Sequence, residues 1–274
     1  MMQTGLDLCE LRVTHNGATV AALHTTIAPG EVLVVMGPSG SGKSTLLAGI
    51  IGSLPAGFHA AGRVILNGRD VSHLPTAQRR IGILFQDDLL FSHLSVAQNL
   101  GFGLAENAGS RAQRRHLIEE ALVDAGLAGF GPRDPATLSG GQRARVALMR
   151  TLLAGPQALL LDEPFSKLDL ALRDQIRTFV LTRARSLGLP VILVTHDPND
   201  AAAAGGRIVL PDGSTPSQAC GASAPAKVLP ASPPSSHCRP SATHRRGCAR
   251  YRRRSTGQGQ RHLPCLDRAP HPDA

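Results

Sequence analysis

Val32-Leu33-Val34-Val35-Met36-Gly37-Pro38-Ser39-Gly40-Ser41-Gly42-Lys43-Ser44-Thr45-Leu46-Leu47-Ala48-Gly49-Ile50-Ile51 is the stretch from which the fold can be read. A continuous apolar run with no alternation is the pattern of a strand buried on both faces, and Ser44 to Ile51 continues as a helix after a glycine-rich loop. The octet Gly37 to Ser44 matches G-x-x-x-x-G-K-[ST] in the strand, loop and helix context that this motif requires. The spacing has a physical reason. The loop Gly37, Pro38, Ser39, Gly40, Ser41, Gly42 lets successive backbone N–H groups turn toward phosphate oxygens at a helix N-terminus. Lys43 then reaches the β- and γ-phosphates, the Ser44 hydroxyl ligates Mg²⁺, and Thr45 follows in the same phosphate-binding turn. With glycine near 7% of residues, chance supplies such an octet in roughly one chain of this length per hundred. A glycine-rich turn without a ligand is therefore the minor reading.

Working outward, Ile81 to Leu84, Ala158 to Leu161 and Val191 to Val194 are further buried runs, separated by helical stretches such as Leu170 to Leu187. Alternation of this kind predicts an α/β fold with a parallel sheet. Before it, Leu6 to Val13 and Thr19 to Ile27 flank Asn16-Gly17 and read as an antiparallel hairpin closed by Pro29-Gly30. Between Asp87 and Thr137 the character turns helical. Ser95 and Gln98 fit a capping box, and Arg111 to Ala125 places Leu117, Ile118, Ala121 and Leu122 on one face. An α-helical subdomain over about 87–137 is expected inside an α/β domain spanning 1–213.

Charge divides the chain. Its 274 residues carry a net +9, which taken whole points to a nucleic-acid or membrane-surface partner. Residues 1–213 hold 19 basic and 18 acidic side chains, whereas 214–274 hold 10 and 2. The basic character thus belongs to the tail, whose large apolar or aromatic residues are only Val228, Leu229, Tyr251, Leu263 and Leu266. That is too little to bury, so disorder is expected there. Three accounts of the tail stay open: an anchor for nucleic acid or anionic lipid through His244 to Arg254, a zinc site, or an out-of-frame reading of a GC-rich gene. Irregular spacing of Cys220, Cys238, Cys248 and Cys265, without a C-x-x-C pair, counts against zinc. Cys9 alone in the first 213 residues, and no basic-then-apolar run from Met1 to Leu11, read as a cytosolic main domain. The uncharged stretch Ser44 to Gly62 is broken by Gly49, Gly52, Pro55 and Gly57 and is not expected to cross a membrane.

Leu159-Leu160-Leu161-Asp162-Glu163 is an apolar strand ending in two carboxylates. Asp162 at the strand end would hold Mg²⁺, and Glu163 would orient and deprotonate an attacking water. The bland alternative makes both acids helix caps before Pro164.

Leu138-Ser139-Gly140-Gly141-Gln142 resembles the signature sequence of ATP-binding cassette (ABC) ATPases and lies between the glycine-rich loop and the acidic strand, as in that family. Gln86 resembles the family's Q-loop, Ser166-Lys167-Leu168-Asp169 its D-loop, and Thr195-His196-Asp197 its switch histidine. The resemblance covers residues 6 to 213, nearly the whole part expected to fold. It implies a P-loop NTPase (RecA-like) core, with ATP and Mg²⁺ as cofactors. It also implies a homodimer, or a pair with a similar cassette. Ser139, Gly140, Gly141 and Gln142 of one chain, with Asp169, would then complete the nucleotide site of the other. His196 would contact the γ-phosphate, and Gln86 would sense Mg²⁺ and couple closure to a partner. Where the family usually stacks an aromatic on adenine, the matching stretch Val13 to Gly17 offers only His15. Stacking there is expected to be weaker, and ATP less strictly preferred over GTP.

The Leu74 to Gln86 stretch and the helix beyond it look similar to cassettes of thiamine, iron, polyamine and sulfate importers. The implied protein is the ATP-hydrolysing subunit of an importer, peripheral on the cytoplasmic face of the inner membrane. Its partners would be integral-membrane permease subunits and, indirectly, a solute-binding protein. A soluble ABC-class ATPase acting on nucleic acid or ribosomes is the alternative. Gln86 to Leu138 spans 52 positions, room for a compact helical subdomain and not for a long coiled coil, so nucleic acid is not expected as a partner.

Overall fold

The computed structural model describes residues 5–104 and 108–214, with Ala171 described by its backbone alone. The basic segment expected to be disordered lies, from 215 onward, outside the described residues. Strands β1 (Leu6–His15) and β2 (Ala18–Ile27) form the expected hairpin about Asn16-Gly17. β3 (Val32–Met36) leads through the glycine-rich loop into α1 (Lys43–Ile51). β4 (Phe58–Leu66) and β5 (Arg69–Asp70) follow, then β6 (Ile81–Leu84), α2 (Val96–Gly103) and α3 (Arg111–Asp124). α4 (Gly140–Leu153), β7 (Ala158–Asp162), α5 (Leu170–Ser186), β8 (Val191–Thr195), α6 (Pro198–Ala204) and β9 (Arg207–Val209) complete the order.

These strands make two sheets. One is antiparallel in the order β2-β1-β4-β5, and the other is parallel in the order β6-β7-β8-β3-β9. The chain is thus an α/β P-loop NTPase core carrying an antiparallel β part and a set of helices. The central strands β3, β7 and β8 are buried on both faces, as their continuous apolar runs require. Leu33, Val35, Leu160 and Ile192 join α1 and the antiparallel sheet in one core, whereas Val34, Leu159, Leu161 and Leu193 pack toward α4 and α5 in a second. A third cluster unites Val96 and Leu100 of α2, Leu122 of α3, and Val146 and Met149 of α4. Among the described residues no helix is long and apolar enough to cross a membrane.

Sheet order decides where the site lies. β7, β8 and β3 are adjacent and parallel, with Asp162 paired to Val194 and Met36 to Thr195. Their carboxyl ends therefore open on one crevice, where open α/β sheets place ligands. Arg79 fixes the helix that leaves this crevice. Its buried guanidinium donates to the carbonyls of Ile50 at 2.7 Å, Gly49 at 3.3 Å, Leu74 at 2.9 Å and Ser72 at 2.5 Å, closing the C-terminal end of α1. Burial lowers the Arg79 pKa, which still leaves a guanidinium charged.

Candidate active site

The glycine-rich loop is shaped by backbone that other residues adopt reluctantly. Gly42 caps α1 at φ 90° with no side-chain acceptor, and a Cβ there would lie 2.6 Å from the Val20 carbonyl oxygen of β2. The first amides of α1 thus have neither an intrahelical partner nor a side-chain cap, the arrangement that suits an anion. Lys43, 5% exposed, donates to the carbonyls of Gly37 at 2.9 Å and Pro38 at 2.8 Å, so its ammonium is folded back over the loop.

Three further elements converge on this loop. Ser44 Oγ donates to Asp162 Oδ1 at 3.0 Å, joining the start of α1 to the end of β7. Lys43 Nζ lies 3.5 Å from Glu163 Oε1, and the other Glu163 oxygen lies 3.0 Å from His196 Nδ1. An ionised carboxylate can only accept, so Nδ1 carries the hydrogen in that contact. Glu163 is 18% exposed and His196 53%. Glu163 also has φ 47°, in the left-handed region, immediately before Pro164. Such a conformation costs on the order of 1–3 kcal/mol in a residue other than glycine and is typical of functional positions. No helix starts at Pro164, since the chain turns until α5 begins at Leu170, so the reading of Asp162 and Glu163 as caps of a helix at that proline has no helix to cap.

The residues present suit a hard divalent cation. Burial holds the Asp162 carboxyl above the usual carboxylate range, with Glu163 adding to the effect against the Ser44 hydrogen bond and the Lys43 charge. Two carboxylates therefore share one ammonium beside an exposed hydroxyl, an all-oxygen donor set left with surplus negative charge. Among the described residues no group of three His, Cys, Asp or Glu side chains gathers as a metal cage. Mg²⁺ needs none, since it is held by one or two protein oxygens with water and phosphate.

The predicted set is not all brought together. Among the described residues no hydrogen bond or ion pair joins Gln86, Ser139, Gly140, Gly141 or Gln142 to Lys43, Asp162 or Glu163. Gln86 is exposed and shares a cleft of about 440 Å³ with Asp88, Gly140, Arg143, Pro164 and Lys167. Arg143 Nε donates to Asp88 at 3.3 Å, and Lys167 pairs with Asp87, so this cleft joins the segment after Gln86 to α4 and to the turn after Glu163. Ser139 caps α4 through a capping box: its N–H donates to Gln142 Oε1 at 2.9 Å, and its hydroxyl accepts from Gln142 N at 3.3 Å. The Ser139 hydroxyl hydrogen remains available to a further acceptor. Asp169 caps α5 by accepting from Leu172 N at 3.0 Å.

His15 is stacked on Phe58, with ring centroids 4.3 Å apart and planes inclined by 18°. Phe58 is absent from the sequence-derived set because its strand pairs with β1 in a register that brings His15 opposite Phe58. A second omission is Arg173, which donates to Asp197 Oδ2 at 2.5 Å.

A phosphate-binding loop, an acidic strand end and a strained carboxylate beside a histidine, on three adjacent parallel strands, define a P-loop nucleoside triphosphatase. Residues 20–166 match the family model described as ABC transporter. Similar proteins include an uncharacterised ABC transporter ATP-binding protein, YnjD, of Escherichia coli, 54% identical over 178 residues covering 65% of this chain and 82% of that protein. The thiamine import ATP-binding protein ThiQ of Jannaschia sp. is 44% identical over 76% of this chain and 89% of its own. The Fe(3+) ions import ATP-binding protein FbpC of Agrobacterium fabrum is 42% identical over 69% of this chain, which spans 52% of that longer relative. The chain belongs to the ABC transporter family and is an ATP-binding protein and ATPase of that family.

Proposed function

We propose that this ATPase energises solute import through separate membrane-spanning subunits, and that it works as a pair of cassettes at the cytoplasmic face of the inner membrane. The observation that carries the catalytic part is the position of Glu163 between Lys43 Nζ and His196 Nδ1, with the Ser44 to Asp162 hydrogen bond beside it. The names of the thiamine and iron import relatives support the import part.

In this reading the loop Gly37 to Gly42 and the first amides of α1, with Thr45, wrap the phosphates. Lys43 leaves its carbonyl partners to pair with the β- and γ-phosphates, which frees Glu163 Oε1 to accept a proton from water. Ser44 and Asp162 hold Mg²⁺, with Gln86 approaching on closure. Mg²⁺ supplies charge neutralisation on the phosphate oxygens. His196, oriented by its bond to Glu163, presents Nε2 to the γ-phosphate. His15, backed by Phe58, gives the base a stacking face less polarisable than a tyrosine. Ser139, Gly140, Gly141 and Gln142 of the partner chain, with Asp169, close the site across the pair. Closure reaches the permease through Gln86 and the α2–α3 region, using the cleft that these elements share with Lys167.

Capture from native membranes with the full-length Glu163→Gln protein in Mg-ATP tests the import reading. Recovery of a polytopic membrane protein together with its solute-binding companion supports it. Recovery of ribosomal or DNA-bound material in place of a membrane protein overturns it.

A further inference from the structure

Two arginines one helical turn apart on α5 reach the first turn of α6. Arg177 pairs with two carboxylates. Its Nη1 donates to Asp200 Oδ1 at 2.9 Å and its Nη2 to Asp174 Oδ1 at 2.5 Å, while the second Asp200 oxygen accepts from Thr195 Oγ1 at 3.2 Å. With Asp200 only 3% exposed, this is a satisfied buried pair. Arg173 differs. Its Nη1 donates to Asp197 Oδ2 at 2.5 Å, its Nη2 makes two bonds at the limit of length to the carbonyls of Ser166 (3.5 Å) and Leu168 (3.4 Å), and its buried Nε has no partner among the described residues.

Both ends of this fork lead to the catalytic pair. Asp197 adjoins His196, caps α6 by accepting from Asn199 N at 2.8 Å, and donates its own N–H to Thr195 Oγ1 at 3.0 Å. Ser166 hangs from Glu163, whose carbonyl accepts from Ser166 N at 3.2 Å and Ser166 Oγ at 2.9 Å. His196 itself is half exposed and, among the described residues, its side chain has one polar contact, to Glu163. Its placement is therefore set by the backbone on either side of it. β8 holds one side, and the Arg173 to Asp197 pair holds the other.

We infer that Arg173 is a positioning residue for His196. It ties the backbone carrying His196 to the Ser166–Asp169 turn, so that a shift of that turn moves the histidine relative to Glu163. The two stretched bonds and the unused Nε give the fork spare donors with which to hold the turn in a second position. A lysine could keep the pair with Asp197, but as a point charge it could not span the turn at the same time. The inference rests on the roles proposed above for Glu163 and His196.

The test is a double-mutant comparison in the full-length chain. Arg173→Ala, Arg173→Lys and Asp197→Asn are each made alone and combined with His196→Ala, and kcat and KM for Mg-ATP hydrolysis are measured. Asparagine keeps the cap acceptor at 197 and removes the charge that Arg173 faces. The expected result is a loss of about tenfold or more in kcat for Arg173→Ala and Asp197→Asn, with KM within about twofold and Arg173→Lys between them and the parent. Combined with His196→Ala, each should cost less than about twofold further, because the group they position is gone. A full-sized loss on the His196→Ala background, or parental kcat in Arg173→Ala, overturns the inference and leaves the site reading intact. If Arg173→Ala does not fold, Asp197→Asn and Arg173→Lys carry the same comparison. Parental turnover by His196→Ala would overturn the site reading, and the role of Arg173 with it.

Discussion

Replacing Asn99 should unfasten the segment between Gln86 and α2. Asn99 is fully buried: its Oδ1 accepts from Phe91 N at 2.8 Å, and the two Nδ2 hydrogens are shared among the carbonyls of Phe91 (3.1 Å), Leu94 (3.1 Å) and Ser95 (3.0 Å). Two of those carbonyls keep another partner, since Phe91 O also accepts from Leu94 N and Ser95 O from Asn99 N. Asn99→Ala therefore strands the Phe91 amide and the Leu94 carbonyl, at about 1–3 kcal/mol each when buried, and removes two redundant bonds worth less. A loss of about 3–5 kcal/mol follows, a large part of the 5–15 kcal/mol typical of a domain. At about 2–4 °C per kcal/mol for a chain of this size, Tm should fall by about 6–20 °C. Asn99→Asp is the sharper variant. It keeps the acceptor for Phe91 N but turns a carboxylate toward three carbonyls, so it should be no more stable than Asn99→Ala at neutral pH and should regain stability as acid protonates it. Chemical denaturation at pH 7 and pH 5 measures both. A loss below about 1.5 kcal/mol for Asn99→Ala, or an aspartate variant insensitive to pH, would refute the reasoning.

Lys43→Ala should weaken ATP binding by about 30–100-fold, the worth of a charge-assisted contact to phosphate, as titrated with a fluorescent ATP analogue. Gly103→Ala places a Cβ 2.1 Å from the Arg150 carbonyl oxygen and should cost about 1–3 kcal/mol by prising α2 from α4. Gly101→Ala meets only Ile118 Cδ1 at 3.4 Å and should be neutral or stabilising by up to about 1 kcal/mol; thermal melts of the two variants separate these outcomes. The Ser72 hydroxyl and amide hold the Asp70 carboxyl below its ordinary value, through bonds of 2.6 and 2.9 Å. Its ionised form thus adds stability above the unfolded-state pKa of about 3.9, and this is lost as pH falls through the lower folded value. Melting curves of the parent and Asp70→Ala should differ at pH 7 and converge in acid.

What could be read from the sequence is what chemistry confines to short spans. The Gly37 to Ser44 loop, the Asp162-Glu163 strand end and the Leu138 to Gln142 signature each depend on neighbours within a few positions. The buried strands β3, β7 and β8 announce themselves as unbroken apolar runs because both their faces are covered. β4 gives no such signal. Residues 59–63 within it are exposed, and its pairing with β1 carries a bulge where Gly62, at φ 95°, lies against the Glu10 carbonyl. Without β4 the stacking of Phe58 on His15 is invisible, since it is a matter of register between strands distant in sequence. Arg173 and Asp197 are 24 positions apart and meet only because α5 and α6 pack at the same end of the sheet. The strained backbone of Glu163 was equally hidden, because nothing in a residue before proline announces a left-handed turn.

The most direct test of the account is steady-state ATP hydrolysis by the full-length parent and its Glu163→Gln variant, with nucleotide affinity measured in parallel. Glutamine keeps the shape and the contact with His196 while removing the base. The account predicts Mg²⁺-dependent turnover by the parent, a loss of about 100-fold or more in the variant, and ATP affinity retained within a few-fold. Parental turnover by Glu163→Gln would contradict the assignment of Glu163 and the site built around it.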